Sequence, residues 1–345
     1  MYITVGSNTN AGIPGELSRD KLMTENYFSG AMLIAHVGKP NFNGFITYDA
    51  KNNGNPVNGF GPNGVEIFVS GLRNSFGIVM HSNGKLYATE NGPNPGFGNM
   101  ATGCKPGQFI PDEYGDDELN LIVRGAYYGH PNHKRAETDP RQCVWRASDD
   151  PNTKTFTPPL MSLQSSTNSV IEYDANYFNG EMRHNLVVSK YEDELYRIIL
   201  APDGNSVIPS SIPAIEIGGN NGLAVAQAPN GNLIDVRFDS SDLFVYKPVE
   251  PSTTQFMIYS VFPRRGGLVG GSTISIYGVN FDGPTVKVLI GTSTCSSPIV
   301  NTENTIIRCT LPPSTTVGLK DIVVETSSGS RKTLSLAYKY IRGTP

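Results

Sequence analysis

The stretch SGLRNSFGIVMHSNGKLYATENGPN, residues 70–94, has the pattern of a tight β-hairpin. Its two apolar runs are separated by Ser-Asn-Gly, and Asn-Gly suits the positive φ angles of a short hairpin turn. The pair Arg73 and Asn74 precedes the first run, and Glu-Asn-Gly-Pro-Asn follows the second. Proline has no backbone N–H, so the second strand is predicted to end at a bend formed by Gly92 and Pro93.

The same turn signal recurs along the chain in HSNGKLYATE (81–90), APDGNSVI (201–208) and APNGNLIDVRF (228–238). Each pairs an Asn-Gly or Asp-Gly turn with a following alternating strand. Further short strands are predicted at residues 2–5, 44–50, 65–71, 185–191, 194–200 and 242–248. Recurrent hairpins without helical periodicity predict an all-β protein whose first part is a β-propeller of four-stranded blades. An array of β-sandwiches is the alternative interpretation.

The composition of the sequence changes near residue 250, where the Pro, Ser and Thr residues of KPVEPSTTQ predict a linker. Beyond it, about seven short strands in about 90 residues are typical of an immunoglobulin-like sandwich. The four cysteines fall into two local pairs, Cys104 with Cys143 and Cys295 with Cys309. Such paired use, without a CxxC motif, favours disulfides in an oxidising, extracellular or secreted setting. Four free buried thiols are the alternative.

Composition narrows the classes of function. The formal net charge is −4 with no long basic run, which argues against a large nucleic-acid footprint. No apolar run approaches the roughly 18 residues that a membrane-spanning helix needs. The chain opens directly on a predicted strand and shows no signal peptide. We therefore expect the natural N-terminus to lie upstream.

The C-terminal part resembles the IPT/TIG family. The residues that carry this resemblance are Pro263, Gly270-Gly271-Ser272, Gly278, Asn280-Phe281, Cys295 and Cys309. The resemblance implies a domain at 257–341 after a linker at 249–256, with a disulfide between neighbouring strands. Domains of this family do no chemistry and act as spacers or as adhesive or dimerising units, so a protein partner is possible here.

The first part, residues 1–248, resembles the soluble glucose/sorbosone dehydrogenases. The motifs are GLRN, GPN, DDELN and a Gly-x-Tyr-Tyr-Gly-x-Pro-like segment, in that order between residues 71 and 131. Members of that family are six-bladed propellers that use pyrroloquinoline quinone (PQQ) with Ca²⁺. The expected substrate is accordingly a small sugar or polyol.

The resemblance assigns cofactor roles to five residues of this chain. Arg73 and Asn74 are expected to bind PQQ, because a guanidinium fork and an amide suit carboxylate and quinone oxygens. Gly92 and Pro93 are expected to give their main-chain carbonyls to Ca²⁺, which prefers oxygen ligands. Lys190, in NLVVSKYEDELYRIIL, is expected to contact PQQ. The alternatives are an inter-blade salt bridge for Arg73, an ordinary turn at Gly92 and a solvated lysine at a strand end.

Two departures from the family pattern are visible. The family's catalytic histidine lies upstream of the strand that aligns with YITVGSN, so no catalytic residue is assigned in this chain. The alignment leaves about four blades, which predicts that this is the C-terminal part of a longer protein and is inactive alone. The family's last blade also gives two arginines to PQQ, whereas GGNNGLAVAQAPNG (218–231) contains none.

Other side chains are weaker candidates. The histidines considered as a substitute base are His36, His81, His130, His133 and His184. Of these, His81 is expected to be exposed on its hairpin turn. The acids Asp116, Asp117 and Glu118 are read either as a second calcium site or as solvated or capping residues.

Two functions follow from these observations. The first is a PQQ- and calcium-dependent dehydrogenase that oxidises sugars or related alcohols by hydride transfer. The second is a non-catalytic extracellular protein that binds carbohydrate or protein. A TIG-type transcription factor is disfavoured by the acidic balance and the disulfide-like cysteines.

Overall fold

The structure is a computed structural model of the 345-residue chain. It describes residues 1–8, 28–44, 48–49, 55–56, 64–92, 101–102, 109–110, 116–130, 157–163, 166–191, 195–212, 214–218, 222–238, 240, 242–249, 254–282 and 286–343. The chain divides into two compact units. One contains Met1–Ile171 and Leu186–Ala224, and the other contains Glu172–Asn185 and Val225–Pro345.

The part of the chain before residue 250 is built from short strands. They are β1 (Tyr2–Val5), β2 (Ala31–Ala35), β3 (Tyr48–Asp49), β4 (Asn55–Pro56), β5 (Val65–Ser70), β6 (Ile78–Met80), β7 (Leu86–Glu90), β8 (Ala101–Thr102), β9 (Phe109–Ile110), β10 (Asp117–Ile122), β11 (Met161–Leu163), β12 (Thr167–Tyr173), β13 (Asn185–Lys190), β14 (Leu195–Ile198), β15 (Ile215–Gly218), β16 (Gly222–Gln227), β17 (Leu233–Arg237) and β18 (Leu243–Tyr246).

These strands form blade-like sheets in chain order. The sheet orders are β1-β2-β5, β11-β10-β7-β6, β12-β13-β14-β15 and β16-β17-β18, with β3-β4 and β8-β9 as small separate pairs. The hairpin predicted at 81–90 is present as β6 and β7, which pair from Ile78 with Ala88 to Met80 with Leu86.

Strand β7 shows how successive sheets stack inside the first unit. Successive side chains of a strand point to opposite faces. Leu86 and Ala88 accordingly join an apolar cluster with Met32 of β2. Tyr87 points the other way and joins a cluster with Leu186 of β13. Both faces of β7 are therefore covered, and every residue of this strand is buried.

One predicted strand is absent. After the turn at 201–204, the expected alternating strand is reduced to a single bridge between Leu200 and Val207. Pro209 begins a one-turn 3-10 helix, Pro209–Ser211, directly afterwards. Since proline cannot donate to a sheet ladder, the pairing stops there. A second 3-10 turn spans Phe178–Gly180.

The remaining strands form a sandwich of two sheets. They are β19 (Met257–Phe262), β20 (Arg265–Gly267), β21 (Thr273–Val279), β22 (Lys287–Ile290), β23 (Ser293–Thr294), β24 (Ser296–Val300), β25 (Ile306–Thr310), β26 (Gly318–Glu325) and β27 (Arg331–Ile341). One sheet has the order β19-β21-β25-β24 and the other β20-β27-β26-β22-β23. A single apolar cluster that includes Ile274, Ile276, Val288, Ile322 and Tyr338 fills the space between them.

The expected fold class is confirmed: the chain is all-β, with propeller-type sheets followed by an immunoglobulin-like sandwich. A disulfide joins Cys295 and Cys309 across the sandwich strands, as the resemblance implied. Cys104 and Cys143 lie outside the described residues. Within the described ranges, no helix is long and apolar enough to cross a membrane.

Gly278 shows why the sandwich motif needs glycine. A Cβ atom at this position would lie 2.0 Å from the carbonyl oxygen of Met257 and 2.5 Å from Cζ of Phe281. Met257 belongs to the paired strand β19, and Phe281 is a fully buried core residue. Neither neighbour is free to move aside, so only glycine allows this close approach of backbone and ring.

We expect Gly278→Ala to lower the free energy of unfolding of the sandwich by about 1–3 kcal/mol, because the added methyl overpacks the β19–β21 pair. Urea unfolding followed by hydrogen exchange of peptides from residues 257–340 measures the effect. Thr273→Ala, at the exposed start of the same strand, is the control and should cost much less. An unchanged unfolding midpoint for Gly278→Ala would contradict the steric argument.

Candidate cofactor site

The Arg73–Asn74 pair is fixed through its main chain. The backbone N–H of Arg73 donates to Oε1 of Glu90, the fully buried last residue of β7, at 2.6 Å. The carbonyl of Arg73 accepts the N–H of Ser7, which follows β1, at 2.7 Å. Two neighbouring sheets therefore hold this position, whatever its side chain does.

Asn91 links Arg73 and Asn74 to Gly92 through hydrogen bonds. Its side-chain Oδ1 accepts a hydrogen bond from Nδ2 of Asn74 at 2.9 Å, and its backbone N–H donates to the carbonyl of Asn74 at 3.0 Å. The guanidinium of Arg73 donates from Nη1 to the carbonyl of Asn91 at 3.3 Å. Arg73, Asn74 and Gly92 consequently converge on one place, which we call the Arg73–Gly92 corner.

A buried carboxylate braces this corner. Asp117, only 2% exposed, accepts the backbone N–H of Gly92 through Oδ1 at 2.9 Å and Nδ2 of Asn91 through Oδ2 at 2.9 Å. It also accepts a short hydrogen bond from the backbone N–H of Thr167, at the start of β12. Burial raises the pKa of Asp117, and the three hydrogen bonds and the charge of Arg73 partly oppose that shift. Asp117 is thus a structural brace rather than a solvated acid.

The backbone at Gly92 lies outside the sheet pairing. Gly92 lies beyond the last paired residues of β7 and β10, Glu90 and Glu118. Among the described residues, no backbone N–H donates to the Gly92 carbonyl. Such an oxygen is the type of ligand that Ca²⁺ prefers. Pro93 lies outside the described residues. In the same ranges, no group of three or more His, Cys, Asp or Glu side chains is placed to hold a metal ion.

Lys190 is buried at the end of β13, with 4% exposure. The structure therefore excludes the alternative that it is a solvated lysine. Its Nζ lies 4.8 Å from the centre of the Tyr196 ring, a cation–π contact. The next residue, Tyr191, donates its N–H to the carbonyl of Ser166 at 2.9 Å, so this strand end lies beside the start of β12.

The expectation that His81 is exposed is wrong. His81 is 5% exposed, and its ring packs edge-on against Tyr87 at 5.7 Å. Its Nδ1 accepts the N–H of Asn83 at 3.1 Å, which fixes the hairpin turn. The turn folds back onto an apolar cluster, so its position in a turn does not expose this residue.

The other candidate histidines occupy different surroundings. His130 is also buried, and its backbone N–H donates to the carbonyl of Gly71 at 2.7 Å. Two are paired with carboxylates at 2.7 Å, His36 with Glu66 and His184 with Glu172. His133 lies outside the described residues.

A second buried polar group continues from the corner along β7 and β10. Glu90 and Glu118 face each other across the two strands, and Nδ2 of Asn120 donates to both, at 3.0 and 3.2 Å. Sequence reasoning did not identify Glu90, Asn91 or Asn120. The available signal was the placement of charged and amide residues at the ends of otherwise apolar strands, in LYATEN and DELN.

Three buried polar atoms near these strands have no hydrogen-bond partner among the described residues. They are Oγ of Ser75, Oδ1 of Asn120 and Nδ2 of Asn168. Ser75 directly follows Asn74, and Asn168 directly follows Thr167. Since buried polar groups are almost always paired with protein, water or a ligand, such atoms are compatible with a bound polar molecule.

Two protein-family models match the chain. Residues 45–234, more than half of it, match the model described as Glucose / Sorbosone dehydrogenase. Residues 257–340 match the IPT/TIG domain. No curated protein matches the chain.

Solved structures show a distant likeness. The holo PQQ domain of pyranose dehydrogenase from Coprinopsis cinerea is 15% identical, with a TM-score of 0.42 over 71% of this chain and 66% of that chain. The PQQ-bound aldose sugar dehydrogenase from Streptomyces coelicolor is 18% identical, with a TM-score of 0.39 over 71% and 56%. The chain thus spans less than two thirds of either protein, and likenesses this weak carry no ligand over to it.

We expect Asp117→Asn to release the corner, because an amide cannot accept the three N–H groups that the carboxylate accepts. Leaving buried donors unpaired costs about 1–3 kcal/mol each. Hydrogen exchange at the amides of Gly92 and Thr167 should accelerate at least about tenfold. Asp116→Asn, at the exposed neighbouring position, is the matched control. Unchanged protection of both amides in Asp117→Asn would show that Asp117 does not brace the bend.

Proposed function

This chain belongs to the glucose/sorbosone dehydrogenase family, and on that premise we propose that the Arg73–Gly92 corner holds PQQ beside a Ca²⁺ ion for the oxidation of a sugar or related alcohol. The observation that carries the proposal is the convergence of Arg73 and Asn74 on Asn91, the residue before Gly92. It brings cationic and amide donors next to the main-chain carbonyl of Gly92.

The donor chemistry fits the cofactor. PQQ is a flat tricarboxylate, so it needs positively charged and hydrogen-bonding groups around its edge. Arg73 offers a planar fork that suits carboxylate or quinone oxygens, and Lys190 offers a buried ammonium. A bound carboxylate would offset the cost of keeping that ammonium away from water. Asn74 adds an amide beside the guanidinium.

The geometry of the corner suits this role. A guanidinium carries five N–H donors in a planar fork, and Nη1 of Arg73 lies 3.3 Å from the carbonyl of Asn91, so the fork is placed at the corner. The carbonyl of Gly92 would serve Ca²⁺, together with Pro93, which lies outside the described residues. Oγ of Ser75 and Nδ2 of Asn168, which have no hydrogen-bond partner in the part of the chain that the structure describes, add further polar groups beside these strands.

The catalytic contribution of these residues is binding and orientation. PQQ, when bound, supplies a quinone that accepts a hydride from the carbinol carbon of the substrate. Arg73, Asn74 and Lys190 would fix its edge, and the buried Glu90, Asn91 and Gly92 would keep water from the bend, which strengthens charged hydrogen bonds there. No residue of this chain is assigned as the proton acceptor, so we expect cofactor binding without turnover by this chain alone.

A non-catalytic extracellular binding protein is the second candidate. Two observations favour it. Residues 218–231 contain no arginine to pair with further PQQ carboxylates. Asn74 and Arg73 also already bind Asn91, which is what a purely structural role would require. The Cys295–Cys309 disulfide suits an extracellular or secreted location under either candidate.

We expect the chain to bind PQQ in the presence of Ca²⁺ and Arg73→Ala to weaken this binding about 10- to 100-fold, the equivalent of one lost charged hydrogen bond. The fold should persist, since the contacts of Arg73 to Glu90 and Ser7 use its main chain. Isothermal titration measures the affinity. Arg124→Ala removes an exposed arginine of the same unit that pairs with Glu66, and it is the control.

Equal affinity of wild type and Arg73→Ala would overturn the assigned site. If titration of the wild-type protein with PQQ and Ca²⁺ releases or absorbs no heat of binding, the result would favour the non-catalytic binding protein.

Chelation of calcium gives a separate prediction. If the carbonyl of Gly92 helps to hold a Ca²⁺ that PQQ also contacts, excess chelator should weaken PQQ binding by at least about tenfold, because metal and cofactor stabilise each other on the protein. Titration of PQQ with and without chelator measures the change, and Ca²⁺ added back in excess should restore it. Equal affinities in both conditions would remove calcium from the proposal.

A further inference from the structure

The segment Glu172–Asn185 joins β12 to β13, yet it belongs to the second compact unit together with β17, β18 and the IPT/TIG domain. We call this segment the strap. It contains the 3-10 turn Phe178–Gly180 and is held internally by backbone hydrogen bonds such as His184 N–H to the Tyr173 carbonyl at 2.6 Å.

The backbone of the strap is strained. Phe178, Asn179 and His184 have φ angles of 52°, 54° and 64°, in the left-handed region. Residues with a Cβ atom adopt this region rarely, and bulky side chains most rarely of all. Such conformations persist only where the surrounding structure holds them.

The IPT/TIG domain contacts the strap through β19. The N–H of Asn176 donates to the carbonyl of Tyr259 at 2.7 Å. The rings of Tyr177 and Tyr259 stack with their centres 4.0 Å apart and their planes 17° from parallel. Tyr177 also packs against Gly231, where a Cβ atom would lie 2.6 Å from the ring. Tyr177 thus contacts both the turn before β17 and the sandwich.

Asp174 joins the remaining contacts. Its carboxylate forms a close ion pair with Arg264 of the IPT/TIG domain and accepts Nε2 of Gln227, at the end of β16, at 2.8 Å. Its carbonyl accepts Nε of Arg183 at 3.1 Å, and Arg183 donates from Nη2 to the carbonyl of Ser335 in β27 at 2.6 Å. Two strands of the sandwich therefore bind the strap at separate points.

We propose that the IPT/TIG domain is an intramolecular lock that keeps the strained strap folded, rather than a spacer attached by a loose linker. The stack on Tyr259 and the ion pair with Arg264 supply the interactions that hold Phe178 and Asn179 in left-handed conformations. The strap accordingly opens when its contacts with the domain are lost, while the sandwich itself stays folded. This inference does not depend on PQQ binding.

Hydrogen exchange of the full chain tests the lock. In Arg264→Ala and in Tyr259→Ala, the amides of Asn176 and His184 should exchange at least about tenfold faster than in wild type. Arg331→Ala is the matched control, because Arg331 is an exposed arginine of the same domain that pairs with Glu325 at 3.2 Å. Its strap should exchange as in wild type.

The Arg264 side chain is 43% exposed, so its loss should leave the sandwich core intact, and peptides from β21 check this. Exchange of the strap within about twofold of wild type in Arg264→Ala and Tyr259→Ala would overturn the proposal. Glycine adopts the left-handed region without strain. Asn179→Gly should therefore restore part of the protection in Arg264→Ala, and no restoration would refute the part played by strain.

Discussion

The architecture of the candidate site depends on the buried carboxylate of Asp117. One side chain accepts the N–H of Gly92, the side-chain amide of Asn91 and the N–H of Thr167. Two of these donors directly follow β7, and the third is at the start of β12. The carboxylate therefore supplies the hydrogen-bond acceptor that these N–H groups do not find in a neighbouring strand. The arrangement is costly for Asp117, since burial disfavours its charge, but the three N–H groups would otherwise be unpaired. The main chain can leave the sheet pairing at Gly92 because these hydrogen bonds replace it.

Local signals made much of the fold predictable. The Asn-Gly turn fixed the β6–β7 hairpin, and the Gly-Pro pair marked the end of β7, because both depend on backbone preferences of adjacent residues. The bracing role of Asp117 was not predictable in this way. Its partner Thr167 is 50 residues away along the chain, and only the stacking of neighbouring sheets brings the two together. Sequence could place an acid next to a strand but could not show what that acid would meet.

His81 and Val207 show two further limits of local reasoning. A histidine in a hairpin turn is usually exposed, but the edge-on contact with Tyr87 buries this one. The segment after the turn at 201–204 has the alternation of a strand, but Pro209 ends the pairing after one bridge. For His81, packing against Tyr87 outweighs the usual exposure of a turn residue. After residue 204, Pro209 lacks a backbone N–H and so stops the strand that the alternating sequence predicts. The strained angles of Phe178 and Asn179 likewise become visible only when the contacts around them are known.

The main chain and the side chain of Arg73 make separate contacts. The joining of sheets at this position is done by its backbone N–H and carbonyl, which bind Glu90 and Ser7. Any residue except proline offers those two groups. The guanidinium adds a 3.3 Å bond to the carbonyl of Asn91, which is long for a charged hydrogen bond. Under the proposed function, an anionic ligand at the corner would require a cationic side chain at this position, and arginine provides one with a planar fork of donors. Lys190 supplies a second cation, an ammonium buried at the end of β13, and an anionic ligand beside it would offset part of the cost of its desolvation.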